Sequence, residues 1–412
     1  MIACLSITVS ALIQLLLTVW FRGQMRRREK PDSLPKELQD STWIVFGVRG
    51  ADPTLADAVR SLLSQDFQDY KVCVVVDSEN DPAHSILQCV AHEPRLLIRQ
   101  LQKPLSTCTL KCSAIAEGVE HVLNVDPEVK YFVMVDADSN PPANMTATLT
   151  GALHANPQVG LASGNQWFEP VAPANAGSMV RSMWYAGAYF FSMLFQNPWA
   201  GAYAMRASDI RKTGLIDVWR ESAVDDGPLK HLLAQYDMSC QSLPSMVMVN
   251  RESCTLGFVT RWMSRILTWS KIHEPGFWLT AFQMTFASTL IVAIFATLGW
   301  AIWIGNFSMI LWASISIVAS GVMSVFAWTT IRKSVIENSE SSTGMQPVQL
   351  PRFIGALLLV AVAQGVYAIA CVTAMLARKV AWRGVTYSIQ GRSVELDRYL
   401  PYEGNGESKH SI

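Results

Sequence analysis

The sequence predicts an α/β domain, a mostly parallel sheet covered by helices, set between apolar segments suited to a membrane. Three observations lead there. Short apolar, β-branched runs alternate with amphipathic helical patterns from about residue 41 to 249. Aspartates fall directly after several of these runs. Half of the 412 residues are hydrophobic and 16% are charged, with the hydrophobic excess gathered at the two ends of the chain. A formal net charge of zero with so few charges argues against a nucleic-acid partner.

Residues 2–21 are nearly uncharged and about one bilayer long. Arg22, Arg26, Arg27, Arg28 and Lys30 follow. No basic residue precedes the apolar run and no small-residue cleavage site ends it, so it reads as an uncleaved anchor. The basic cluster places the next domain in the cytoplasm.

Within that domain, residues 43–48 read as a strand. Residues 53–65 read as a helix, with Asp52 as N-cap and Leu55, Val59, Leu62 and Leu63 on one face. Residues 72–76 and 96–101 read as strands, 81–90 as the start of a helix, and 111–123 as an amphipathic helix. Tyr131 to Val135 is a buried strand that ends abruptly in Asp136-Ala137-Asp138 and a Ser-Asn-Pro-Pro turn.

Asp52 follows the first strand, Asp77 and Asp81 the second, and Asp136 and Asp138 the fourth. All therefore gather on one edge of a parallel sheet, where open α/β sheets place ligands. Each alone also reads as a cap or turn residue, and for Asp52 that is the favoured reading. Two carboxylates one residue apart on a bending backbone suit a hard divalent cation, Mg²⁺ or Mn²⁺, that also holds substrate phosphates.

Asp225-Asp226 precedes a helical pattern through Leu229, Leu232 and Leu233. Acids at a helix N-terminus are common. Adjacent like charges also raise a carboxylate pKa, as a general base requires, and both readings stand on the sequence. Residues 258–271 hold Arg261, Trp262, Arg265, Trp269 and Lys271, a composition suited to an interfacial amphipathic helix. The belt of Trp and Arg common at membrane interfaces has the same composition.

Three further spans are expected at 279–304, 307–331 and 353–377, with a polar linker at 337–351. Four spans beginning outside return the C-terminus to the outside, whereas Arg378, Lys379, Arg383, Arg392 and Arg398 favour the inside. Either one segment is re-entrant or the count is off by one. The eight cysteines are scattered, without the paired spacing of a zinc site, and a cytoplasmic domain keeps them reduced.

Taken together, these residues resemble the ceramide glucosyltransferases, membrane-bound inverting glycosyltransferases with a GT-A domain, and more distantly the hyaluronan and cellulose synthases. Gly50-Ala51-Asp52-Pro53 with residues 62–67 looks like the family's first strand-turn-helix, and residues 70–83 like its second. By position Asp81, Asp136 and Asp226 match its three aspartates. Arg261-Trp262 matches the end of its (Gln/Arg)-x-x-Arg-Trp motif, and 382–387 its segment after the last span. The likeness runs from the anchor to about Tyr402. Two departures stand out: Phe258 replaces the motif's polar residue, and Ser-Thr-Cys-Thr-Leu before Lys111 lacks the usual Gly and Asn. They bear on sugar and acceptor identity more than on reaction class.

The resemblance implies transfer of one hexose, UDP-glucose favoured as donor, to a membrane-lipid hydroxyl such as that of ceramide, with inversion. Asp226 is the implied catalytic base. Asp136 and Asp138 would hold the metal. Asp81, Asp77, Lys111, Asp136 and Arg261 would meet the nucleotide sugar, and Trp262 and Asp225 the acceptor. The expected divisions are an anchor at 1–22, a cytoplasmic catalytic domain at 41–257, an interfacial helix at 258–275, a membrane region at 279–377 and a tail at 378–412. The membrane is a bacterial inner membrane or the Golgi. A processive polysaccharide synthase is the alternative, although three C-terminal spans are few for a pore. A non-catalytic scaffold on a transferase fold is the other, and the retained aspartates count against it.

Overall fold

The computed structural model describes residues 2–27, 32–51, 54–171, 174–339, 342–346, 348–400 and 402. A seven-stranded sheet consists of β1 (Thr42–Val48), β2 (Tyr70–Val76), β3 (Leu96–Gln100), β4 (Tyr131–Val135), β5 (Val159–Phe168), β6 (Ala202–Arg206) and β7 (Ser239–Asn250). A long helix, α1 (Ile2–Arg27), precedes it. The helices among the strands are α2 (Leu55–Leu63), α3 (Pro82–Gln88), α4 (Leu110–Val125), α5 (Met145–Ala155), α6 (Ala176–Phe195), α7 (Ala207–Thr213), α8 (Leu215–Trp219) and α9 (Leu229–Ala234). Beyond the sheet run α10 (Leu256–His273), α11 (Phe277–Trp303), α12 (Phe307–Asn338) and α13 (Leu350–Leu376). A three-stranded antiparallel sheet follows: β8 (Lys379–Trp382), β9 (Val385–Gln390) and β10 (Ser393–Tyr399).

The large sheet has the order β3-β2-β1-β4-β6-β5-β7, with β6 alone antiparallel to its neighbours. Its four N-terminal strands fall within two residues of the sequence reading. They form because every residue of β4, and all but one of β1 and of β2, is buried, as apolar runs covered on both faces demand. The chain leaves β1 toward β2 on one side and returns to β4 on the other, so the topological switch point lies between β1 and β4. Asp52 and its proposed cap lie outside the described residues; α2 begins at Leu55, after Thr54. Asp81 caps α3 by accepting the Ala83 N–H at 2.9 Å, with Pro82 in the first helical turn.

The C-terminal helices join this domain through a buried ion cluster. Arg332 of α12 donates twice to Glu169 at the end of β5, at 2.9 Å each. Trp167 and Arg352 reach the same carboxylate at 3.2 and 3.1 Å. Removing one partner from such a cluster leaves a buried charge uncompensated, a cost of about 3–5 kcal/mol.

The helices α11, α12 and α13 are each long and apolar enough to cross a membrane. Their placement differs. Ala281 and Ser288 of α11 face α13, and Ile294 of α11 packs with Ala313 of α12 as the two form a hairpin. Yet both ends of α13 rest on the sheet domain and the helix that follows it. Arg352 donates to Pro170 O near its start, and Lys271 of α10 donates to Ala374 O and Ala377 O, at 2.8 Å each, near its end. Between these points α13 packs along α10, α11, α12 and α6, leaving Leu350, Ile354, Leu358, Ile369 and Leu376 exposed as a stripe. At the other end of the chain α1 packs along α12, and Arg22 and Arg26 pair with Glu337 at 2.7 and 3.1 Å.

Of the segment expected as a tail, residues 379–399 are folded instead. β8 and β9 turn through Arg383 and Gly384, both with positive φ, as a two-residue hairpin with matching twist requires. Val385 and Tyr387 enter the core, and Leu396 donates its N–H to Ser106 O at 2.8 Å. The Tyr387 hydroxyl accepts the N–H of Leu110, so the small sheet holds the first turn of α4.

Candidate active site

The β4 strand delivers Asp136 to the switch point. Its N–H donates to Gly201 O at 3.2 Å, and the Ser139 hydroxyl donates to the same carbonyl at 3.1 Å, which fixes the turn carrying both carboxylates. Lys111, in the first turn of α4, bridges two elements. Its Nζ lies 2.5 Å from Asp136 Oδ1 and 2.8 Å from Asp225 Oδ1. Burial works against its charge, but the two carboxylates overcome this and push its pKa above the ordinary value. Lys111, expected to meet a phosphate, is thus already held between the turn after β4 and Asp225.

Asp225 is fully buried and turned inward, holding Lys111 and accepting the Tyr203 hydroxyl at 3.0 Å. That corrects its reading as an acceptor contact: it has no surface to offer and acts on the site through Lys111. Asp226 is half-buried beside it and accepts the Ala200 N–H at 2.8 Å. Burial, and then the charge of Asp225, push its carboxyl up to about 7. The two acids therefore have divided environments: Asp225 is ion-paired with Lys111, while Asp226 makes no ion pair among the described residues and feels Lys111 through charge alone. Tyr185, buried on α6, feels the charge of Asp226, which puts an aromatic wall near that carboxylate.

Helix α10 starts at a Thr255 cap that accepts the Phe258 N–H at 3.2 Å. Arg261 is exposed and makes no hydrogen bond or ion pair among the described residues, so the structure does not bring it to the carboxylates. Arg265, one turn later, is the guanidinium within the field of Asp138. Its i, i+4 spacing from Arg261 is the sequence signal by which it could have been found. Trp262 is 5% exposed and packs edge-on against Phe168 and Trp184 at 5.2 and 5.5 Å. It is a core residue of an aromatic cluster rather than an open acceptor surface.

On the other side of the switch point, Asp81 is 2% exposed, and both its oxygens accept the Gly50 N–H at 2.9 Å. In this arrangement it holds the loop after β1 instead of facing a ligand. Asp77 is buried and paired with Arg49, and it accepts the Tyr399 hydroxyl at 3.0 Å. Burial raises its pKa against the pull of Arg49. Arg49 and Tyr399 escaped the sequence reading because only the folded C-terminal sheet brings them together.

Among the described residues no cluster of three or more His, Cys, Asp or Glu is arranged to hold a metal. Asp136 and Asp138 alone offer two hard oxygen donors. A Mg²⁺-like ion keeps most of its shell for water and phosphate oxygens, so this pair fits one bound together with a diphosphate.

The profile of glycosyl transferase family 21 matches residues 3–165. A comparison with curated proteins gave no match. Among solved structures, the mannosyltransferase PcManGT of Pyrobaculum calidifontis, in complex with GDP-Man and Mn2+, is 14% identical; the alignment covers 91% of this chain and 98% of that one with a TM-score of 0.50. Glucosyl-3-phosphoglycerate synthase of M. tuberculosis aligns over 58% of this chain and 84% of its own, at 13% identity and a TM-score of 0.37, an overlap too loose to argue from. The first of these shares the sheet and thereby the GT-A fold. The match over residues 3–165 makes that part of the chain similar to glycosyl transferase family 21, and it lies within a GT-A architecture.

Proposed function

We propose that this glycosyltransferase moves one hexose from a UDP-sugar, UDP-glucose favoured, to the hydroxyl of a membrane lipid such as ceramide, with inversion. The carrying observation is the half-buried Asp226, pushed up to about 7, beside a Lys111 bridge that leads to Asp136. A carboxylate poised there takes the proton of an attacking hydroxyl near neutral pH. The acceptor oxygen attacks the anomeric carbon from the face opposite the nucleotide, the bond to the diphosphate oxygen breaks, and the configuration inverts. Lys111 supplies positive charge next to Asp136, where negative charge grows on the leaving diphosphate. Asp136 and Asp138 are the residues to hold Mg²⁺ or Mn²⁺, which when bound offsets that charge as a Lewis acid. The mannosyltransferase with the shared fold is described with Mn2+ and a nucleotide sugar, which supports a similar donor here.

The acceptor reading rests on the membrane helices. α1, α11 and α12 cross the bilayer, and the catalytic domain of about 41–257 lies in the cytoplasm. α13 lies along α10 at the membrane surface with its apolar stripe toward lipid. That arrangement removes the parity conflict, because three crossings leave β8–β10 and their basic residues on the cytoplasmic side. Trp184, Tyr185, Phe168 and Trp262 form the aromatic cluster between α10, α6 and the sheet, close to the half-buried base. The testing experiment incubates purified protein with radiolabelled UDP-glucose, Mn²⁺ and lipid-containing micelles. Label extracted into organic solvent as one monoglycosylated species supports the reading. A water-soluble polymer supports a processive synthase instead, and no release of UDP supports a scaffold.

A further inference from the structure

The loop after β1 carries an aromatic ring from the far end of the chain. Gly50 has a φ of +82°, and a Cβ placed on it would stand 2.7–3.0 Å from ring atoms of Tyr402. The half-buried ring therefore rests directly on the glycine backbone, an approach that any side chain at 50 would block. Arg49 steadies it from the side, with its guanidinium 6.0 Å from the Tyr402 centroid and 5.1 Å from that of Tyr399. Arg49 is fixed in turn by the carbonyls of Arg383 and Leu400.

Beneath these rings sits Asp77. Its Oδ2 is taken by Arg49 and Tyr399, while its Oδ1 is buried with no hydrogen-bond partner among the described residues. A buried carboxylate oxygen without a donor is costly to maintain. It suits a ligand that brings an N–H or O–H. A flat ring held by backbone on one face suits a second flat ring on the other. Both stand on the β1–β2 side of the switch point, while Lys111 and Asp136, the expected diphosphate end, stand on the β4 side.

We propose that the C-terminal sheet completes the donor site, with Tyr402 as the aromatic face on which the nucleobase of the donor stacks. The inference rests on the nucleotide-sugar reading above and adds a wall contributed from some 350 residues downstream of Gly50. The small sheet is then part of the binding site, which explains why it spreads its contacts over Asp77, the first turn of α4 and the loop after β1. Stacking of this kind tolerates any base, so Tyr402 contributes affinity, and selection among bases falls to groups at the base edge.

The test uses the full chain in detergent, titrated with UDP and separately with inorganic pyrophosphate, both with Mn²⁺. Tyr402→Leu removes the aromatic face and is expected to weaken UDP about tenfold, the scale of one base–aromatic stack. Pyrophosphate affinity is expected to stay the same, and Tyr402→Phe to bind both ligands as the wild type does. Unchanged UDP affinity in Tyr402→Leu overturns the proposal. Tighter UDP binding also overturns it, because the ring then covers the pocket rather than lining it. Equal weakening toward both ligands overturns it too, because the loss then reports general damage to the site. A wild-type chain that binds neither ligand removes the nucleotide-sugar reading and this one with it.

Discussion

The ammonium of Lys111 stands 2.5 Å from Asp136 Oδ1, so the carboxylate expected to hold a divalent cation already carries an internal one. A metal ion at Asp136 must share that oxygen with Lys111 or displace it. Lys111→Met should therefore tighten Mn²⁺ binding in the absence of nucleotide, since a repelling charge is gone. The same change should lower turnover about 10- to 100-fold, the weight of one hydrogen bond to a charged group. Manganese titration by electron paramagnetic resonance, read beside turnover, checks both; weaker Mn²⁺ binding in the variant would show that Lys111 assists the metal site.

Lys111 also reaches Asp226, the proposed base, through charge. Asp226 must be ionised to accept a proton, so the rate should rise as pH climbs through about 7 and level off above it. The positive charge of Lys111 lowers the Asp226 pKa, so Lys111→Met should move this limb to higher pH. A pH–rate profile of kcat for both proteins decides the point, and a limb that stays in place or moves to lower pH assigns the titration to another group.

Asp138 follows Asp136 on the same turn and shares the field of Arg265. Asp138→Asn should raise the metal concentration needed for half-maximal rate and reduce turnover by about 10²–10³, as losing one group that stabilises transition-state charge does. An unchanged metal titration would leave Asp136 as the only protein ligand of the pair.

Much of this site was legible in the sequence because its carboxylates follow strands, and strand ends in a parallel sheet share one edge. β4 could be read from Tyr131 to Val135, and Asp136 followed from it. What escaped depended on contacts between distant segments. Asp225 and Asp226 are adjacent in sequence, and only the fold shows that one is fully buried against Lys111 while the other stays half-buried on the Ala200 N–H. Arg261 was favoured by its motif, while the helix phase of α10 turns Arg265 to the carboxylates. α13 reads as a span by hydropathy and forms a helix long and apolar enough to cross a membrane, while its long contact with α10 joins distant segments that hydropathy does not report. The sheet of β8–β10 was missed because its residues 378–398 read as a basic tail.

The proposed placement of α13 at the membrane surface predicts a labelling pattern. Single cysteines at Gln349 and Arg378, just outside its two ends, should both resist a membrane-impermeant thiol reagent in intact cells and both react after permeabilisation, once the native cysteines are replaced. Labelling of one end alone in intact cells would show that α13 crosses the bilayer.

The central claim is transfer driven by Asp226 with inversion at the anomeric carbon. The most direct measurement is the anomeric configuration of the glycolipid formed from α-linked UDP-glucose, read by proton NMR, together with its yield from Asp226→Asn. The account predicts a β-linked product from the wild type, and from the variant a yield reduced by about 10²–10⁴ with UDP binding retained. An α-linked product, or an Asp226→Asn enzyme that turns over normally, would contradict it.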